Sequence, residues 1–195
     1  NIDNDFLNAD NKELAPIFRI LSVLNLVNNF SPVVGRELNK SSLDEFLKNI
    51  FPKYQLNDSE KTYFLKWGHF LGFLEVQSRD SYVVDPFQVV LSVLPEIFKK
   101  SERMSIRDFL MALGEKLPVL GFGYYSKNVQ KNINEHLDED LLEFNVPSPL
   151  SQALTRLSIM GVLKLIPLSD DKEAMKLILP NHDEFKSIVQ YNKEG

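Results

Sequence analysis

Cysteine is absent from the 195 residues. Its absence excludes disulfides, thiol nucleophiles and cysteine-based zinc sites, and it fits a reducing, cytoplasmic setting. Long apolar runs are missing too: none reaches the roughly 18 residues that a membrane-spanning helix needs, so no membrane contact is expected. Positive charge is in deficit, with 22 Lys and Arg against 27 Asp and Glu and a net charge of −5. Nucleic-acid binders that live on phosphate contacts usually show a basic face, because Lys and Arg release condensed counterions. Overall acidity lowers the expectation of strong non-specific binding without forbidding a local basic face. Residues 1–11 are polar and show no signal-peptide pattern. The first residue is Asn rather than Met, which leaves a longer parent chain open.

What is present is ordinary globular composition: 44% hydrophobic and 25% charged residues, with 14 Phe, 6 Tyr and 1 Trp to fill a core. The length suits one large domain or two small ones. After a flexible segment, residues 1–13, Ile17, Ile20, Leu21, Leu24 and Val27 recur at helical spacing, with Pro16 in the first turn. Asn28 and Asn29 end that helix, and residues 30–34 form a short β-prone stretch interrupted by Pro32. Ser42 with Glu45 reads as a capping box opening a second helix, striped by Leu43, Phe46, Leu47 and Ile50 and closed by Phe51-Pro52. Asn57 with Glu60 opens a third, striped by Phe64, Trp67 and Leu71 with Tyr63 and Phe70 flanking. Gly72 is placed to cap it in the left-handed region. Two short strands, residues 73–76 and 81–84, then bracket a polar turn, and Asp85-Pro86 stops the second.

The order repeats. Asp85 is placed to cap a helix with Pro86 at its first position, striped by Phe87, Val90, Leu91 and Leu94 and ended or kinked by Pro95. Ser105 caps the next, with Ile106, Phe109, Leu110, Leu113 and Leu117 inward. Ser148-Pro149 opens a third, striped by Leu150, Ala153, Leu154 and Leu157 and ending at Gly161. Residues 162–166 and 176–179 are expected to pair as a hairpin about the acidic turn 169–173, closed by Pro180. Between the second and third helices lies an insert, residues 118–147, with a glycine-rich turn and a helix carrying Tyr125, Val129, Ile133 and Leu137. A last helix is expected over residues 183–191, with Phe185, Ile188 and Val189. Leu71-Gly72-Phe73-Leu74-Glu75-Val76 matches Met160-Gly161-Val162-Leu163-Lys164-Leu165, which marks an internal repeat.

Helix, short strand, two helices and a hairpin, written twice, resembles the winged-helix superfamily in tandem. The resemblance implies a mainly α chain with small β-hairpins (α+β): one unit over residues 14–86, a second over 87–180 with the insert 118–147, and a C-terminal helix and tail over 181–195. It implies a third helix in the DNA major groove and a wing on the backbone. In the first unit these positions are Lys61, Thr62, Lys66 and His69, with Arg79 on the wing. In the second they are Ser151, Gln152, Thr155 and Arg156. Tandem arrangements of this kind look like those of some bacterial chromosome-associated, transcriptional and phage-defence proteins.

Charge departs from the usual pattern, since residues 57–85 hold three basic residues against five acidic ones. Asp170, Asp171 and Glu173 surround Lys172 on the second wing. Two functions therefore stay open. One is a non-catalytic binding module that contacts DNA or acts as an adaptor in a bacterial-type, DNA-linked process. The other is a protein–protein or dimerisation module with no nucleic-acid contact. A protein partner is expected, and a homodimer suits either function.

No enzyme, cofactor or metal is expected. Gly121-Phe122-Gly123 lacks the third glycine of a dinucleotide loop and the Lys-Ser/Thr of a phosphate loop, so a plain turn is the simpler reading. There is no Gly-x-Ser-x-Gly elbow. Asp170-Asp171 sits at a turn tip, where solvent keeps carboxylates ordinary. His136 and Asp140 could share a helix face at i, i+4, but no second histidine joins them, and a solvated acidic helix end is preferred. The aromatic run Tyr63, Phe64, Trp67 and Phe70 is read mainly as core, with some surface left for the other unit or a partner. Phe122, Tyr124 and Tyr125 form a candidate partner patch, packing being the simpler alternative.

Overall fold

The structure is a computed structural model and describes residues 16–26, 37–51, 55–133, 143–180 and 182–193. The β-prone stretch 30–34, the helix end at Val27, Asn28 and Asn29, Pro52, and the His136–Asp140 pair lie outside the described residues.

The first helix, α1 (Pro16–Leu26), is buried at every position from Arg19 to Leu26. A helix covered all round belongs to the interior, and two of its polar side chains donate back to its own backbone. Ser22 Oγ donates to the Phe18 carbonyl and Asn25 Nδ2 to the Leu21 carbonyl, each at 2.8 Å.

α2 (Lys40–Ile50) starts earlier than Ser42 leads one to expect. Asn39 Oδ1 accepts the Ser41 and Ser42 N–H groups, while the Asn39 N–H donates to Ser42 Oγ. Ser42 therefore completes the capping box from the third helical position, with the cap itself at Asn39. α3 (Asp58–Phe70) opens as the sequence indicates: the Asn57 N–H donates to Glu60 Oε2 at 2.7 Å, and the Glu60 N–H to Asn57 Oδ1 at 3.0 Å. Gly72, at φ +82°, turns the chain out of the helix into β1 (Leu74–Ser78), which pairs antiparallel with β2 (Ser81–Val84). Leu38 bridges Tyr82 on the other side of β2, so the order is Leu38, β2, β1.

Asp85 Oδ1 accepts the Phe87 N–H at 2.9 Å at the head of α4 (Phe87–Ile97), so Pro86 precedes the first helical residue. Pro95 is tolerated two residues before that helix ends. β3 (Arg103–Ser105) leads into α5 (Ile106–Lys116), capped by Ser105 Oγ, which accepts the Asp108 N–H. The insert carries α6 (Tyr124–Ile133), which packs on α1. Its glycine turn is a backbone crossing: a Cβ on Gly114 would strike the Gly123 backbone, and one on Gly123 the backbone of Pro118.

β4 (Asn145–Val146) precedes α7 (Ser148–Ile159), and Gly161, at φ +78°, turns the chain into β5 (Leu163–Ile166). Then come β6 (Met175–Leu177), β7 (Glu184–Lys186) and β8 (Ile188–Tyr191). The strands form two three-stranded sheets. One has the order β3, β8, β5 and is antiparallel; in the other, β4 runs parallel to β6, and β6 antiparallel to β7.

Two expectations are corrected here. Residues 162–166 and 176–179 do not form a hairpin; β5 pairs with β8, and β6 with β4 and β7. Residues 183–191 are not a helix but two strands. The helical spacing of Phe185, Ile188 and Val189 arises because strand pairing breaks at buried Ser187 and passes from one sheet at β7 to the other at β8. The Ser187 N–H donates to the Ile166 carbonyl, and its carbonyl accepts the Ile106 N–H. Phe185 then faces solvent, while Val189 is buried opposite Met104 and Leu165.

The strand before the second helix, the last strand, and the strand after the third helix thus lie in the same order in both halves: Leu38, β2, β1 and β3, β8, β5. One continuous cluster of buried side chains runs through both.

Candidate functional site

Side-chain size decides which way α3 faces. Its buried residues are Phe64, Leu65 and Gly68, and the Leu74 side chain lies 2.7 Å from where a Cβ on Gly68 would be. The glycine lets the hairpin press against the helix on that side. Trp67 is thereby turned outward, not inward as its place in the sequence stripe indicated. Tyr63, Trp67 and Phe70 are 63%, 52% and 77% exposed. With Lys66 they follow i, i+3, i+4, i+7 spacing and share one helix face. Trp67 and Phe70 meet edge to face at 5.4 Å. At the end of α3, His69 Nδ1 lies 2.9 Å from the Leu74 carbonyl and donates to it, and its ring is 6.0 Å from that of Tyr82. Exposed Val76 stands opposite Tyr82 in the hairpin.

The cations expected around this face have different fates. Lys61 pairs with Asp44 at 3.0 Å and Asp58 at 3.6 Å, tying α3 to α2. Hydrogen bonds from Lys48 and then Lys61 hold the Asp44 carboxyl below its ordinary value, and Asp44 in turn raises Lys61. Thr62 Oγ1 donates back to the Asp58 carbonyl at 2.8 Å. Lys66 is exposed and makes no ion pair among the described residues. Arg79, at the hairpin tip, is almost fully exposed, with Asp80 at 3.9 Å.

The equivalent helix of the second half is covered. In α7, Ser148, Pro149, Leu150, Ser151, Ala153, Leu154 and Leu157 are all buried. Ser151 Oγ donates to the Val146 carbonyl at 2.8 Å and accepts the Ile178 N–H at 3.0 Å, a structural role. Gln152 and Thr155 are half-buried. Arg156 reaches across to the first hairpin, with Nη1 at 3.0 Å from Glu75 Oε2 and 2.7 Å from Asp85 Oδ2. Its guanidinium lies 4.1 Å from the centre of the Phe87 ring. The Arg156 hydrogen bond pulls Glu75 below the ordinary carboxylate value. Burial, aided by the neighbouring Glu75 carboxylate, pushes Asp85 up.

The sequence candidates therefore separate. Lys66, His69 and Arg79 belong to the open helix and its hairpin. Lys61 and Arg156 are held in ion pairs, and Gln152 and Thr155 sit on the covered helix. The exposed trio Tyr63, Trp67 and Phe70 was assigned mainly to the core by sequence; the glycine at position 68 was the signal that the opposite side makes the close packing.

The insert patch is mostly inward. Tyr125 stacks on Phe18 at 5.6 Å, and Phe122 is half-buried with Lys127 Nζ 5.7 Å and Arg107 Cζ 6.0 Å from its ring centre. Of the three, only Tyr124 is largely exposed. Among the described residues no group of three or more His, Asp or Glu side chains is placed to hold a metal, and no helix is long and apolar enough to cross a membrane.

Seven helices and small, largely antiparallel sheets among the described residues define an α+β protein with one open aromatic helix face. The chain belongs to the DpdG-like family, whose model matches residues 1–171. No curated protein and no solved structure matches the chain.

Proposed function

We propose that this chain is a non-catalytic, DNA-associated binding module made of two tandem winged-helix units, and that the first unit makes the contact. The repeated strand order around three helices supports the tandem architecture, with units over residues 14–86 and 87 onward. The family supports the setting, because the DpdG-like family points to phage defence and DNA modification. The contrast between α3 and α7 carries the choice of unit: one third helix is largely buried and clamped by Arg156, while the other is open and bears Lys66, which makes no ion pair among the described residues. Lys66, His69 and Arg79 are the contact residues, with Thr62 at the edge. Lys61 and Arg156 hold elements together, and Gln152 and Thr155 are not needed.

Binding of labelled DNA across a salt series tests this function. Affinity should fall with rising salt by roughly 0.9 log units per log unit for each duplex phosphate neutralised. Lys66→Glu with Arg79→Glu should abolish binding, while Gln152→Ala with Thr155→Ala should leave it intact. An absence of DNA binding at the lowest salt would overturn the proposal. The α3 face would then be a protein-docking or dimerisation surface, a use that exposed Tyr and Trp side chains also suit.

A further inference from the structure

We infer that the α3 face takes the unstacked bases of single-stranded DNA, not the base edges of an intact duplex. This rests on the DNA-associated function proposed above and specifies its ligand. The first reason is chemical. Bidentate readout of purine edges in the major groove is made by Arg, Lys, Asn and Gln. The exposed positions of α3 are Asp58, Ser59, Glu60, Tyr63, Lys66, Trp67, His69 and Phe70, of which only Lys66 is such a reader. What the face offers instead is three aromatic rings, and every base has a ring face to lay against them.

The second reason is electrostatic. A recognition helix usually enters the groove by its N-terminal end. Here that end carries exposed Asp58 and Glu60, with a Glu60 oxygen fixed on the Asn57 N–H at 2.7 Å. Two carboxylates would lead the helix toward phosphates. The available cations lie elsewhere: Lys66 lies past the middle of the helix among the rings, and Arg79 at the hairpin tip. A strand laid from Tyr63 to Phe70, bases on the rings and phosphates toward Lys66, runs away from those two carboxylates.

The third reason is length. Tyr63 and Phe70 are about 10 Å apart along the helix axis, the rise of about three stacked nucleotides at about 3.4 Å each. Trp67 lies between them, in edge-to-face contact with Phe70 and still half open to solvent.

Trp67 is the chain's single tryptophan, so its fluorescence reports on this face alone. The full chain is titrated with oligo-dT, with a duplex of equal length and with heparin. Oligo-dT should quench Trp67 and bind more tightly than the duplex, and heparin should leave the emission nearly unchanged. With labelled oligo-dT, Tyr63→Ala and Phe70→Ala should each weaken binding about 5- to 150-fold, while Trp67→Phe, which keeps a ring face, retains most of it. These positions are exposed, and circular dichroism confirms that each variant keeps its fold.

Preference for the duplex, with Phe70→Ala neutral, would overturn the single-strand inference and leave DNA association standing. Equal quenching by heparin would overturn it too, since stacking would not be involved. No binding to either DNA would remove both proposals. Self-association abolished by Trp67→Ala, with no quenching by DNA, would assign the face to a second copy of the chain and overturn the inference.

Discussion

Replacing Arg156 with methionine should lower the melting temperature by about 4–8 °C. The substitution keeps an apolar stem over Phe87 and removes the guanidinium that pairs with both Glu75 and Asp85. Breaking a fully buried ion pair costs about 3–5 kcal/mol and an exposed one below about 1 kcal/mol. This clamp lies between those limits: the side chains of Arg156 and Glu75 are 43% and 45% exposed, that of Asp85 only 15%. Solvent screens most of the Glu75 arm, leaving about 0.5 kcal/mol there and about 1 kcal/mol for the Asp85 arm. The lost ring contact adds about 0.5 kcal/mol. A total near 2 kcal/mol converts at about 2–4 °C per kcal/mol for a chain of this size.

Thermal unfolding followed by circular dichroism reads the change, and an Asp85→Asn cycle isolates its electrostatic part. The asparagine keeps an oxygen for the Phe87 N–H, so the double variant should recover about 1 kcal/mol. The pH dependence has a definite sign. Arg156 lowers Glu75, so the Glu75 contribution is present above its unfolded value of about 4.3 and lost as pH falls through the lower folded value. Arg156→Met lacks that contribution throughout, so its deficit should shrink in acid. A melting temperature within about 1 °C of the parent at neutral pH would refute the clamp.

Gly114→Ala should destabilise the fold by about 3 kcal/mol in urea unfolding, because the new methyl group meets the Gly123 and Phe122 backbone, which cannot swing aside. Val189→Asp should cost on the order of 4 kcal/mol, since it buries a carboxylate in the middle strand of β3, β8, β5; a mild effect would mean that β8 does not hold that place. Asp44 should titrate below its ordinary value of about 3.9, so the stability it lends is present above that pH and is lost as pH falls through the lower folded value. Its side-chain chemical shift in the parent and in Lys61→Met checks this: the variant midpoint should move up.

Local chemistry made the caps and helix-to-strand turns readable. The Asn57–Glu60 cap, the hairpin after Gly72 and the glycine at position 161 follow from residues within one turn of each other. What failed required distant partners. Phe185, Ile188 and Val189 mimic a helical stripe because a break at Ser187 separates two strands of different sheets, and β8 finds β3 more than 80 residues earlier. Asn39 displaced Ser42 as a cap because an asparagine amide reaches two N–H groups at once. The site was half legible. Lys66 and Arg79 were candidates of the third helix and the following turn, and the structure leaves both exposed, whereas the destination of Arg156 lies 71 and 81 residues away in sequence. The orientation of α3 could not be phased by counting aromatic residues, since bulky rings occupy both sides and the closest packing is marked by the smallest residue.

Placing β8 between β3 and β5 has a consequence for synthesis. As the chain leaves the ribosome, β3 emerges some 80 residues before its partner and β5 about 20 before it, so neither can pair until the intervening polypeptide has cleared the exit tunnel. Throughout that interval two strand edges and the apolar side chains beneath them stay uncovered, open to holdase chaperones or to a neighbouring nascent copy. A released chain truncated just before residue 188 would hold that species, whereas the full chain lets the sheet close from its centre.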